Sequence, residues 1–159
     1  MKKREIMPEI EKRLAALGIV LPTPVAPVAN YVPYVVTGNL VFISGQVSIT
    51  PDGLITGKLG ADVSLERGVE AAHACGVNLI AQLREACGGD LDRVRRVVKL
   101  GGFVNSTPDF VDQPKVVNGA SDLMVGVFHD NGRHARAAVS APALPMNAAV
   151  EIDGVFEIA

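Results

Sequence analysis

From Leu14 to Pro51 the chain carries no Asp, Glu, Lys, Arg or His. By length alone this run of 38 uncharged residues could cross a bilayer, so it decides first between a membrane chain and a water-soluble one. The membrane reading fails on backbone chemistry. Pro22, Pro24, Pro27 and Pro33 remove amide donors, and Asn30, Thr37, Asn39, Ser44 and Gln46 would need partners that hydrocarbon cannot supply. The run therefore reads as a Pro-rich approach and the first hairpin of one soluble domain. A chain of 159 residues can bury a core without disulfide or metal staples.

Ahead of it, Met1 to Arg13 mixes Lys2, Lys3, Arg4, Lys12 and Arg13 with Glu5, Glu9 and Glu11, which is not the pattern of a secretory signal. With Ile6, Ile10, Leu14 and Leu17 on one face, it predicts a short amphipathic helix. Residues 1–29 are thus expected to form an N-terminal helix and lead-in, and residues 30–159 a single domain.

In that domain, Tyr34–Val36 and Leu40–Ile43 flank Thr37-Gly38-Asn39 as a hairpin, and Thr50-Pro51-Asp52-Gly53 turns a second one. Leu65, Val69, Ala72, Gly76, Leu79, Ile80, Leu83 and Cys87 recur at helical spacing, with Ser64 to cap the start and Gly88-Gly89 to stop the end. A strand over Arg93–Asn105 follows, where Gly101-Gly102 suggests a bulge or a close approach. Pro114 opens a second helix that ends near Asn131-Gly132, and two further strands close the chain. In the last strand Val150, Ile152, Phe156 and Ile158 share one face, while Glu151, Asp153 and Glu157 share the other. The expected class is α+β, a mixed sheet with two helices covering one face.

Net charge is −2, giving no field to attract a nucleic acid, and Arg93, Arg95, Arg96 and Lys99 read as a solvated turn and strand edge. Cys75 and Cys87 share one predicted helix about 18 Å apart in rise, beyond disulfide reach, and suit buried thiols in the cytoplasm. His73, His129 and His134 are not spaced as metal ligands, and no cofactor motif is present, so neither metal nor cofactor is expected. What remains is Arg136, in a strand otherwise built of Ala and Val, and Glu151, expected in the neighbouring strand. From the residues alone these two are equally a ligand-binding pair or a cross-strand ion pair.

Arg136-Ala137-Ala138-Val139, Leu144-Pro145 and Val150-Glu151-Ile152 resemble the C-terminal signature of the RidA/YjgF family, the imine/enamine deaminases. Pro33-Tyr34, Gly38-Asn39, Ser44-Gly45-Gln46, Phe103-Val104 and Val117-Asn118 agree with the family order, so the resemblance covers the chain from Asn30 onward. It departs from the pattern at Ala138, where the family has a cysteine, at Ser140, where active members carry Glu, and in a short turn after Tyr34.

The resemblance implies a chorismate-mutase-like fold and a homotrimer whose sheets form a central barrel, with clefts between subunits. In the family the residue matching Arg136 grips the substrate carboxylate, and the one matching Glu151 orients or activates water. Those matching Tyr34, Ser44, Gly45 and Asn118 line the pocket, with Tyr31 able to stand in for Tyr34. The implied activity is hydrolysis of 2-imino or enamino acids to 2-keto acids and ammonia. The alternatives are a non-catalytic trimeric module that binds small carboxylates, and, behind both, the endoribonuclease or translation-inhibitor role of some relatives.

Overall fold

The computed structural model describes residues 6–24 and 29–159. The start of the expected N-terminal helix and Pro27 of the lead-in lie outside the described residues. In chain order the elements are helix α1 (Glu9–Ala16), strands β1 (Tyr34–Thr37), β2 (Leu40–Val47), β3 (Ile49–Thr50) and β4 (Gly53–Leu54), helix α2 (Leu65–Ala86), strand β5 (Val94–Asn105), helix α3 (Gln113–Phe128), and strands β6 (Ala135–Ala141) and β7 (Val150–Ile158).

The long helix forms where its pattern predicts. Ser64 caps α2 by accepting the Arg67 N–H at 3.1 Å, and Gly88 and Gly89, both at positive φ, end it by donating to the Glu85 and Arg84 carbonyls. Its buried stripe includes Cys75, Leu79, Ile80 and Leu83. Helix α3 lies against it with Val116, Val117, Ala120 and Met124 fully buried. The two backbones approach so closely at Gly119 that a side chain there would collide with the Val69 carbonyl.

Helix α1 is shorter than its apolar stripe. It begins after Pro8 and ends at Ala16, so only Ile10 and Leu14 are buried, whereas Ile6 and Leu17 fall beyond its ends and are 83% and 51% exposed. Its opening amides are capped from a distance. Both carboxylate oxygens of Asp92 accept, from Glu9 N–H at 3.0 Å and Ile10 N–H at 2.9 Å.

Five strands form one sheet in the order β1-β2-β7-β5-β6, and β3 pairs with β4 as a separate hairpin. All contacts in the large sheet are antiparallel except β5 with β6. That parallel pair is possible because α3 carries the chain back across the sheet between them. The final strand then inserts between β2 and β5, so β6 and β7 are not the neighbours the sequence suggests. As the central strand, β7 follows the expected parity: Val150, Ile152 and Phe156 are fully buried under the helices, and Ile158 nearly so.

One further expectation narrows. The register irregularities of β5 fall between Val94 and Arg96 and between Val97 and Lys99, so Gly101-Gly102 is a close approach and not a bulge. A side chain at Gly102 would meet Val117 Cγ2 at 2.7 Å, and one at Gly101 would strike the Asp153 carboxylate. The basic cluster is the solvated turn and strand edge expected: all four side chains are exposed, Arg93 closes the turn ahead of β5 and holds the Ala159 carbonyl, and Arg95 and Arg96 precede Lys99, where pairing with β6 begins. Arg96 donates to the Arg133 carbonyl.

Among the described residues, no helix covers the second face of the sheet. Val35, Phe42, Phe103 and Val139 are exposed on it, beside Lys99, Glu151 and Asp153. A shallow depression of about 500 Å³ runs over this face, lined among others by Phe42, Ser44, Gly101, Ala137 and Asp153.

Candidate functional site

Arg136 sits in β6, the edge strand, directly beside Leu100 of β5, whose side chain is fully buried. Paired residues share a face, so the guanidinium lies on the helix side and reaches along α3. Nη1 donates to Asn118 Oδ1 at 2.8 Å and to Ser121 Oγ at 3.2 Å, and Nη2 donates to the Pro114 carbonyl at 3.4 Å. Asn118 and Ser121 meet it together because three residues in a helix bring side chains to one face. These partners are all neutral, and none of the ion pairs among the described residues includes Arg136. Its Nε–H and one N–H of Nη2 are left over, on adjacent atoms of a rigid plane. Two such donors fit the two oxygens of a carboxylate.

Glu151 occupies a different place. It pairs with Val47 of β2 and Phe103 of β5 and belongs to the open face, opposite Arg136. Its carboxyl lies over Gly45, where an added Cβ would come within 3.0 Å of Glu151 Cδ. Partial burial, and then the nearby Asp153 carboxylate, push the Glu151 carboxyl above its ordinary range. Gly45 falls in the register break of β2 between Ile43 and Gln46, and Ser44 beside it donates to the Val32 carbonyl at 2.8 Å. This ties the Pro-rich approach to the sheet.

Tyr34 opens β1 opposite Ile43 and packs partly buried against the core, whereas Tyr31 is 55% exposed. With β1 at one edge of the sheet and β6 at the other, four strand spacings of about 4.8 Å separate Tyr34 from Arg136. The six predicted site residues therefore form two groups and one outlier. Arg136 and Asn118 meet at the β6 edge, Ser44, Gly45 and Glu151 meet on β2 and β7, and Tyr34 stands apart from both on β1, on the helix face with its partner Ile43. The cross-strand ion pair between Arg136 and Glu151 does not exist in this fold, because they lie on opposite faces with β5 between their strands.

Ser121 and His134 were not singled out for the site by the sequence. His134 shows only as a polar neighbour of Arg136, and the sole trace of Ser121 is its three-residue spacing from Asn118. Their convergence depends on how α3 crosses β6. Cys75 and Cys87 are free and buried, and burial raises both thiols. Among the described residues, no three His, Cys, Asp or Glu side chains cluster as metal ligands, and no helix is long and apolar enough to cross a membrane.

Residues 11–157 match the YjgF/chorismate mutase-like family. Protein TCP17 of Trypanosoma cruzi is 48% identical over 151 residues, covering 94% of each chain. The RutC family protein y4sK of Sinorhizobium fredii is 33% identical over 131 residues, covering 82% of this chain and 89% of its own. The crystal structure of an Agrobacterium tumefaciens protein superposes with a TM-score of 0.88 at 48% identity, covering 94% of this chain and 92% of that one. A matched family spanning nearly the whole chain, with the sheet order and helix layer described above, settles the class: this chain belongs to the RidA/YjgF family and has its chorismate-mutase-like fold.

Proposed function

We propose that this protein hydrolyses 2-imino or enamino acids to 2-keto acids and ammonia, in a cleft completed by a neighbouring copy of itself. The observation that carries the reading is the Arg136 guanidinium, held by three neutral acceptors with two adjacent donors unspent. Such a group is a receptor for a small carboxylate. Glu151, with its carboxyl raised by burial and by Asp153, suits a proton-transfer or water-orienting role at an imine carbon. Ser44, Gly45 and Tyr34 would wall the same pocket, with Tyr31 as the more exposed alternative to Tyr34.

One chain does not bring these groups together, and that supports an assembly. The Arg136 group is on the helix face at the β6 edge, and the Glu151 group is on the open face of the central strand β7 and its neighbour β2. A subunit boundary that sets one protomer's Arg136 group against the next protomer's Glu151 would join them, and a homotrimer is the family expectation. The exposed Val35, Phe42, Phe103 and Val139 give the open sheet face the apolar surface such an assembly would cover. The two buried free thiols suit the cytoplasm.

The test generates an imine in situ from an amino acid with a dehydratase or oxidase and follows keto-acid release. Acceleration that disappears in Arg136→Ala while the oligomer persists supports the reading. No acceleration with several such imines would sink it. A second reading, binding of small carboxylates without turnover, is favoured by the separation of Arg136 from Glu151 within one chain. Keto-acid binding by calorimetry, with no catalysis, would select it.

A further inference from the structure

The hydrogen bonds around Arg136 extend beyond its own partners. Ser121 Oγ lies 2.8 Å from His134 Nε2, and His134 Nδ1 lies 2.6 Å from the Gly132 carbonyl oxygen. Every proton in this chain can be placed by elimination. Arg136 can only donate, so Ser121 must turn a lone pair toward Nη1 and Asn118 must turn Oδ1, not its amide nitrogen. A carbonyl can only accept, so His134 Nδ1 carries a hydrogen aimed at Gly132. In the neutral ring Nε2 is then bare, and the Ser121 hydroxyl proton points at it.

The positions of these groups follow from the backbone. His134 stands just after the 3-10 turn His129–Gly132 and just before β6, so its ring can return to Gly132. At Gly132 a side chain would collide with the Met124 carbonyl, so this turn must lie tight against the last turns of α3. The same packing places His134 beside Ser121. His134 and Arg136, two apart, point to the same side of the chain and approach Ser121 together.

We infer that Ser121 and His134 are positioning residues for the Arg136 guanidinium. His134 Nε2 accepts the hydrogen bond that the Ser121 hydroxyl donates, leaving Ser121 to offer only an acceptor to Nη1. Nη1 is thereby spent on Asn118 and Ser121, and the adjacent donors on Nε and Nη2 face the ligand. Without His134 the hydroxyl is free to rotate its own proton toward Nη1, where two donors would oppose each other. This rests on the proposed carboxylate-binding role of Arg136, but the arrangement itself is testable without any ligand.

The experiment has two arms on the full-length protein. The first uses nitrogen-15 NMR of the ligand-free protein. The expected result is an Nδ1–H tautomer signature for His134, assigned by its loss in His134→Phe and its retention in His73→Gln. Separate, slowly rotating Nη signals are expected for Arg136, and these merge in Ser121→Ala and return in Ser121→Thr. An Nε2–H tautomer, or Arg136 signals unchanged by Ser121→Ala, would overturn the inference whatever the protein binds. The second arm measures 2-oxobutanoate binding by calorimetry. Ser121→Ala and His134→Phe should weaken it tenfold or more, and Ser121→Thr should stay within about threefold of wild type. If Arg136→Ala abolishes binding while Ser121→Ala and His134→Phe bind within twofold of wild type, the inference is wrong. If wild type itself does not bind, the carboxylate reading fails and the NMR arm alone judges the inference.

Discussion

Arg136 and Glu151 project from opposite faces of one sheet, and β5 runs between the strands that carry them. A reaction that needs both groups at one ligand must therefore draw them from two protomers. Arg136→Ala and Glu151→Gln should each be inactive alone. Unfolded together and refolded as a mixture, they should regain about a quarter of the wild-type sites, because random assembly pairs an intact Arg136 with an intact Glu151 that often. Deaminase assays of the mixture check this, and a mixture as inactive as its parents would place both groups in one subunit's site.

The Glu151 carboxyl is held above its ordinary range, so the folded protein binds its proton more tightly than the unfolded chain does. The stability this contributes is present below the unfolded value near 4.5 and is lost as pH rises through the higher folded value. Glu151→Gln keeps the neutral shape at every pH. It should match wild type in acid and exceed it at neutral pH, by about 1 kcal/mol or less because the group is partly solvated. Thermal melts across pH would read this, and a variant less stable at neutral than at acid pH relative to wild type would contradict it.

Two glycines on α3 should respond oppositely to alanine. At Gly119 the new methyl would run into the Val69 carbonyl and sit 3.2 Å from the His73 amide nitrogen, so the helices must part. A loss of about 2–3 kcal/mol is expected from such overpacking. Gly126 has ordinary room, with Leu17 Cδ1 at 3.5 Å, so Gly126→Ala should gain about 0.5–1 kcal/mol from helix propensity. Urea unfolding of the pair tests the packing directly.

Asp92 is the cap of α1 although it lies more than eighty positions away in the chain. Asp92→Ala should cost about 1 kcal/mol and raise hydrogen exchange first in the amides of Glu9 and Ile10. Unchanged protection there would show that Ile10 and Leu14 hold the helix unaided.

Much of the fold was legible because it depends on short-range patterns. Period and caps located α2 within a residue at each end, Pro114 marked the start of α3, and parity assigned the buried face of β7. The strand order was not legible, since nothing local says that β7 will insert between β2 and β5. The site divided the same way. Arg136 and Asn118 were named from motif and do meet, but Ser121 was invisible because a serine within a helix shows nothing until a histidine from another segment reaches it.

By itself, then, the sequence determined the elements, their buried faces and the residue types a carboxylate site needs. It did so because helix and strand periodicity and side-chain chemistry are properties of neighbouring residues. Only the tertiary structure decided that Arg136 and Glu151 face apart, that Asp92 caps α1, and that His134 stands behind Ser121. Each of these is a contact between segments distant in the chain, made by the packing of α3 on β6 and by the pairing order of the strands.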